Sequence, residues 1–158
     1  MSWQKTTAWE RLRNLSVTPI YQVIIPAGSD EHINPWLRLK DCGLPGPICI
    51  LMAWSGSLKQ DGPSDFAAKQ GLTHPETIVF VDCGAFGALS ACRQLDPPLY
   101  VQWLQEKVVD DPMTAVFANL DLIYDEPATW DNHIILEDAG LFPLPCIHMG
   151  TDYIPFLE

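Results

Sequence analysis

The chain of 158 residues lacks long apolar runs, and this absence excludes whole classes of protein. No stretch approaches the roughly 18 uninterrupted apolar residues that a membrane-spanning helix needs. The first residues, Met1 to Lys5, lead into no apolar segment of the kind that forms a secretory signal. We therefore predict a cytoplasmic protein that does not bind a membrane.

The cysteines lack the spacing of a disulfide framework or of a zinc site. There are five, an odd number, and no two of them stand in a Cys-x-x-Cys arrangement. A phosphate-binding glycine motif is also absent, because residues 84–87 form only a Gly-x-x-Gly sequence. We therefore expect no structural disulfide, no metal ion and no cofactor.

Basic residues are scarce in the second half of the chain. Residues 73–158 contain two Lys or Arg against fourteen Asp or Glu, whereas residues 1–72 contain seven against six. Nucleic-acid binding depends largely on Lys and Arg side chains that neutralise phosphates. Any nucleic acid is therefore expected to be held by residues 1–72 or by another chain.

Apolar residues make up 47% of the chain, which is close to the globular average and sufficient for one domain with a core. We divide it into an N-terminal extension of residues 1–41 and an α/β domain of residues 42–158. The alternation of strand and helix patterns in that domain is typical of parallel sheets built from βαβ crossovers. Strands are predicted at 20–25, 48–53, 77–81, 115–118 and 144–148, and helices at 3–15, 65–70, 96–108, 128–139 and from 152.

Polar residues follow the predicted strands at the point where each one ends. Asp82 follows one strand, Asn119 and Asp121 the next, and His148 closes the last. The carboxyl ends of parallel strands are where α/β folds bind ligands, so we expect these side chains to converge. Each residue also has a purely structural interpretation. Asp82 can cap the turn at Gly84, Asn119 and Asp121 can cap loops, and His148 can be a packing residue with its polar groups satisfied.

Cys83 stands beside Asp82 at the end of a strand. A thiol in that position is either a small buried residue or a partly activated nucleophile. No general base is identifiable next to it in the sequence, so we favour the buried residue. Helix 128–139 is expected to place Ile134, Ile135 and Leu136 on its inner side.

Residues 81–88, Val-Asp-Cys-Gly-Ala-Phe-Gly-Ala, resemble the Asp-Ser-Gly-Gly/Ala-Phe segment that follows a barrel strand in tRNA-guanine transglycosylases and their DNA-modifying phage and bacterial relatives. Further segments that line up with these relatives in the same order are 118–123, 129–132 with 136–141, and 143–150. Together the segments span about half of the chain. Cys83 stands where the family has Ser, and Gly87 where its tRNA-acting members have Gln.

This resemblance implies a (β/α)₈ barrel that exchanges a purine base in nucleic acid for a 7-deazaguanine. It implies that Asp82 lies against the target base and its sugar and serves in acid/base catalysis or in base recognition, and that Asp121 is similar in position to a carboxylate that recognises the base. We add Asn119, Gly84 and His148 as substrate-binding residues. In the family a third aspartate, from a late strand, forms the covalent nucleoside ester.

A complete barrel of this type needs roughly 250 residues, so we predict a half barrel that is inactive by itself. It would bind tRNA or DNA only together with the missing half. A half barrel leaves strand edges unpaired, so we expect a homo-oligomer or a partner chain to cover them. Two alternatives stay open: a non-catalytic interaction module, and a small-molecule hydrolase in which Asp82 and His148 form a hydrogen bond.

Overall fold

The computed structural model describes residues 24–26, 48–69 and 77–148. The predicted helices at 3–15 and from 152 lie outside these residues. Strands and helices are interspersed along the described chain, as in an α/β fold. The strands are β1 (Ile24–Pro26), β2 (Ile48–Ala53), β3 (Thr77–Asp82) and β4 (Thr114–Phe117), and the helices are α1 (Pro63–Lys69), α2 (Ala85–Ser90), α3 (Pro97–Trp103) with a π-helical continuation over Leu104–Val108, and α4 (Glu126–Asp138).

All four strands pair in parallel, and their order in the sheet is their order in the chain. β2 and β3 form the longest pairing, from Ile48 opposite Thr77 to Ala53 opposite Asp82. β4 continues the sheet beside β3, with a register shift between Val79 and Phe80. The predicted parallel α/β architecture is thereby confirmed for the described residues.

The predicted strand at 144–148 is wrong in extent. Leu144 makes one parallel bridge with Ala118, through the hydrogen bonds Leu144 N–H to Phe117 C=O and Asn119 N–H to Leu144 C=O, both 2.8 Å long. No ladder continues from this bridge within residues up to 148. The cause is the proline on each side of Leu144, because proline has no N–H to donate to a neighbouring strand.

A buried aromatic group packs on the sheet. The Tyr100 ring lies 4.8 Å from that of Trp54 and 6.2 Å from that of Trp103, and all three side chains are at most 2% exposed. The sheet contributes β-branched and other apolar side chains from its inner face to the same core. These include Ile50, Met52, Val79, Val81 and Phe117.

The beginnings of α3 and α4 are each capped by an aspartate. Asp96, the predicted cap of α3, accepts a hydrogen bond from Leu99 N–H at 3.2 Å, and Pro97 follows it. Asp125 caps α4 in the same way by accepting from Ala128 N–H at 3.1 Å, so this helix begins two residues before the predicted start. In the described residues no helix is both long and apolar enough to cross a membrane.

The buried face of α4 differs from the predicted one. Ile134 and Ile135 are 38% and 42% exposed, while Leu136 is fully buried. Three consecutive residues cannot share one face, because each residue turns an α-helix by about 100°. The buried positions instead follow the helical spacing of three and four residues; they are Thr129, Asn132, His133 and Leu136.

Candidate functional site

Asp82 closes β3 and shapes the turn that follows it. Its Oδ2 accepts a hydrogen bond from Gly84 N–H at 3.0 Å, which is the capping role that the sequence left open. Its backbone carbonyl accepts from Trp54 N–H at 2.9 Å. The carboxylate therefore has a fixed orientation, and Oδ1 makes no hydrogen bond to any of the described residues.

Gly84 lets the chain pass from this turn into α2. Its φ of 75° lies in the left-handed region, and a Cβ at this position would lie 2.1 Å from the carbonyl oxygen of Trp54. Any side chain would therefore separate β3 from the residue after β2. The role of Gly84 in the site is to allow this close approach, and α2, which the sequence did not predict, begins at the next residue.

Asp121 and His148 form the closest pair of ionisable side chains at the carboxyl edge of the sheet. His148 Nε2 lies 2.7 Å from Asp121 Oδ1, and the two side chains are 24% and 19% exposed. The hydrolase alternative required a bond from His148 to Asp82, and the structure pairs this histidine with Asp121 instead. Asp121 Oδ2, like one oxygen of Asp82, makes no hydrogen bond to the described residues.

Thr129, in the first turn of α4, contacts the same oxygen of Asp121 as His148 does. Its hydroxyl accepts from Leu122 N–H at 2.9 Å, and its own hydrogen is within reach of Asp121 Oδ1 at 3.1 Å. The Thr129 side chain is almost fully buried, so these bonds are shielded from water. Thr129 therefore fixes both the backbone and the carboxylate of the loop that follows β4.

Asn119 supports this loop from within the core. It is 0% exposed, and its Nδ2 donates to Thr129 C=O at 2.8 Å. Asn132 does the same from α4, with Nδ2 donating to Leu120 C=O at 3.0 Å. Substrate binding by Asn119 stays a prediction, and the Asn119 side-chain amide bonds to the backbone at the start of α4.

Two thiols bond to the backbone of the loop after β4. Cys83 is 2% exposed, as the sequence suggested, and its sulfur accepts from Asp121 N–H at 3.4 Å. Cys146 Sγ donates to Asn119 C=O at 3.6 Å. The pKa of Cys146 is raised by its interaction with the Cys83 thiol and by burial, and the negative charges of Asp121 and Asp82 add to this effect.

A cleft of about 330 Å³ opens next to this cluster. Of the five predicted site residues, Asp121 is the one in its lining. This volume is at the lower end of the range for small-molecule sites, roughly 300–1,000 Å³. The other lining residues come from α2, the segment after it and the loop after β4: Ala85, Ala88, Leu89, Cys92, Arg93, Gln94, Leu95, Leu122 and Ile123.

The sequence interpretation missed Thr129 and Cys146. Thr129 lies eight residues after Asp121, in the first turn of α4, and only the folded loop shows that its hydroxyl points back to the carboxylate. Cys146 precedes His148 by two residues, so alternation along an extended segment was a usable signal for it. Among residues 24–26, 48–69 and 77–148, no three His, Cys, Asp or Glu side chains form a group that could hold a metal ion.

Comparison of the chain with family models, with curated proteins and with solved structures found no match.

Proposed function

We propose that Asp82 and Asp121 bind a guanine-like base at the edge of a partial (β/α) barrel related to the transglycosylases. One observation carries this proposal. Each carboxylate uses one oxygen to bond with the protein and leaves the other without a hydrogen bond to the described residues. Ionised carboxylates are hydrogen-bond acceptors only, so both oxygens suit the N–H donors of a ligand.

The donor pattern of guanine and 7-deazaguanine matches such a pair of acceptors. N1–H and the 2-amino group lie side by side on one edge of the base, and both donate. Adenine has an acceptor at N1, which a carboxylate would repel. His148 and Thr129 hold Asp121 Oδ1, at 2.7 and 3.1 Å, and thereby orient its second oxygen before a ligand arrives.

The cleft beside Asp121 offers apolar surface for the ring of the base. Ala85 and Ala88 line it from α2, and Leu122 and Ile123 line it from the loop after β4. A flat heterocycle gains from apolar contact on its faces and from hydrogen bonds on its edge. Asp82, beside the base, is the candidate acid/base group, because a carboxylate at the carboxyl end of β3 can hold and return a proton.

The sheet supports the barrel relationship. Its strands are all parallel, and each crossover leads to the next strand in the chain, which is the order in a (β/α) barrel. The bridge between Ala118 and Leu144 extends this order by one further position. The site residues lie at the carboxyl edge, the side on which such barrels bind substrates.

Calorimetric titration of the full chain with guanine, 7-deazaguanine and adenine tests this function. We expect guanine and 7-deazaguanine to bind and adenine not to bind. Asp82→Asn and Asp121→Asn should each weaken binding by about tenfold or more, since hydrogen bonds to charged groups contribute roughly 1.5–3 kcal/mol. Asp131→Asn, an exposed aspartate of α4, is the matched control and should not change the affinity.

Adenine binding as tightly as guanine, or unchanged affinity in both site variants, would contradict base recognition by these residues. Circular dichroism of each variant separates a lost contact from a lost fold. Base exchange in tRNA or DNA by the 158-residue chain alone would contradict the expectation that it is inactive by itself.

The second candidate is an interaction module, which exposed apolar side chains favour. Phe86 is 77% exposed, Tyr124 91% and Leu89 48%, and two of the three lie on α2. A second copy or another barrel half would cover them. Size-exclusion chromatography with light scattering measures this directly: a dimer supports such pairing, and a monomer at all concentrations contradicts it.

A further inference from the structure

The cleft beside Asp121 also contains a positive charge. Arg93 lines it, and this arginine is one of two basic residues in the segment 73–158, which has fourteen acidic residues. The other, Lys107, is not in the lining. A cation in so acidic a segment would be expected to meet a carboxylate, yet no ion pair joins Arg93 to any of the described residues. Its charge is therefore available to a ligand.

The backbone around Arg93 is fixed by the end of α2. Cys92 N–H donates to Leu89 C=O at 3.0 Å, and Arg93 N–H donates to Ala88 C=O at 2.8 Å. These two bonds form the Schellman arrangement that ends many helices. Cys92 supplies its left-handed residue, with a φ of 51°. The motif turns the chain after α2 and holds the backbone of Arg93 at the wall of the cleft.

A hydrogen bond to the loop after β2 orients the guanidinium group. Arg93 Nη1 donates to Ser55 C=O at 2.6 Å. A Cβ at Gly56 would lie 3.6 Å from the same nitrogen, so the guanidinium lies against the backbone of this loop. Arginine has five N–H donors, and the others make no hydrogen bond to the described residues. Arg93 thus presents oriented donors, as Asp121 presents an acceptor.

Arg93 and Asp121 line one cleft and do not neutralise each other. No ion pair joins them, and Asp121 instead contacts His148 at 2.7 Å. A ligand that satisfies both residues has N–H donors at one end and a negative charge at the other. Guanine supplies the donors in the proposed function. The negative charge must then belong to a group that is attached to the base.

We propose that the cleft binds a guanine mononucleotide, with the base at Asp121 and the phosphate at Arg93. The inference rests on the proposed function for the base and adds the phosphate. The sugar is attached at N9, across the two rings from N1–H, so the base edge and the phosphate occupy different ends of the ligand. A guanidinium group pairs with two phosphate oxygens at once.

The charge of the segment favours a free nucleotide over a strand of nucleic acid. Arg93 can neutralise one phosphate, and a strand brings further phosphates on either side of it. The fourteen acidic residues of the segment 73–158 would repel these phosphates. The volume of the cleft, about 330 Å³, is also that of a site for a small molecule.

Calorimetric titration of the full chain with guanosine and with guanosine 5′-monophosphate tests the proposal. The two ligands share the base and the sugar, so the ratio of their dissociation constants measures the contribution of the phosphate. We expect the monophosphate to bind about fivefold more tightly at low salt, a modest ratio because Arg93 is exposed. Added salt should reduce the ratio, since it screens exposed charges.

Arg93→Gln should bring the ratio close to one, and Arg93→Lys, which keeps the charge, should retain part of it. Lys107→Gln removes the same charge from an exposed residue outside the cleft lining and should leave the ratio unchanged. This matched control separates a contact at Arg93 from general attraction by a basic residue. Because each ratio is taken within one variant, a partial loss of folded protein does not imitate the effect.

A ratio of one in the wild-type protein, or a ratio that Arg93→Gln leaves unchanged, would overturn the phosphate site, while binding of guanosine would still support the proposed function. Adenosine 5′-monophosphate binding as tightly as the guanine nucleotide, with Arg93→Gln weakening both, would contradict base recognition and not the contact with Arg93. Absence of binding by both guanine ligands would overturn both ideas. Tighter binding of a trinucleotide with a central guanine would overturn the choice of a mononucleotide.

Discussion

Gly84→Ala is expected to destabilise the protein through the turn that orients Asp82. The residue has a φ of 75°, and left-handed backbone raises the energy of a residue with a Cβ by roughly 1–2 kcal/mol. The new Cβ would also lie 2.1 Å from the carbonyl oxygen of Trp54, so one of the two backbones must move. Overpacking of this kind destabilises by about 1–3 kcal/mol, which gives a total loss of about 2–5 kcal/mol.

Displacement of the Trp54 backbone away from position 84 would be energetically unfavourable. Its N–H donates to Asp82 C=O at 2.9 Å, which fixes its backbone to the end of β3. Its side chain is 2% exposed and packs 4.8 Å from the ring of Tyr100. A movement away from position 84 would therefore break a backbone hydrogen bond or disturb the aromatic core, and both outcomes lower the free energy of unfolding.

Gly87→Ala is the matched control, three residues further along in α2. A Cβ at Gly87 would meet no atom within 4 Å, so alanine fits there. Alanine in place of glycine inside a helix raises the free energy of unfolding by about 0.5–1 kcal/mol. The two substitutions add the same methyl group to glycines of one segment, and we expect them to shift stability in opposite directions.

Urea unfolding monitored by tryptophan fluorescence measures both effects, since the chain has six tryptophans and Trp54 and Trp103 lie in the core. We expect a lower midpoint for Gly84→Ala and a slightly higher one for Gly87→Ala, at the same slope. A loss below about 1 kcal/mol for Gly84→Ala would refute the close approach to Trp54 as the reason for glycine. Equal shifts in both variants would do the same.

Two further predictions concern buried polar groups of α4. Thr129→Val removes the hydroxyl that bonds Leu122 N–H and Asp121 and should lower the free energy of unfolding by about 1–3 kcal/mol in urea titrations, while Thr129→Ser keeps the hydroxyl and should lose less. Burial lowers the pKa of His133, with Glu137 opposing the shift, so protonation favours the unfolded chain. Stability should therefore be retained above pH ~6.5 and fall as the pH drops through the lowered pKa of the folded protein. His133→Gln should reduce this loss between pH 7 and 5, and an unchanged pH profile would exclude the histidine as its cause.

The features that the sequence predicted well depend on local signals. The apolar run at 48–53 and the β-branched run from residue 77 became β2 and β3 with bounds within one residue. The Asp96–Pro97 pair began α3 as expected, because its cap is made by residues three positions apart. In each case the chemistry that determines the element lies inside the element.

Helix packing and strand extension depend on partners elsewhere in the chain. The run Ile134 to Leu136 predicted an apolar side. Which face of α4 is buried depends instead on Thr129 and Asn132, whose polar groups bond the loop after β4. Thr129 and Asn132 are polar and would be expected at the surface from the sequence. They can be buried because the folded loop after β4 supplies their hydrogen-bond partners. Leu144 was expected to begin a strand, and its flanking prolines limited it to one bridge.

In the candidate site, too, the sequence identifies residues of suitable type but not the groups that they contact. The polar residues expected to converge at the carboxyl ends of parallel strands are Asp82, Asn119, Asp121 and His148, and among them His148 and Asp121 lie 2.7 Å apart. The hydrogen bond between Asp121 and Cys83 is donated by the backbone N–H of Asp121. Because every residue except proline has this group, the sequence alone does not predict the bond. Asp121 thus joins both parts of the site: its carboxylate accepts from His148 at 2.7 Å, and its amide donates to the sulfur of Cys83 at 3.4 Å.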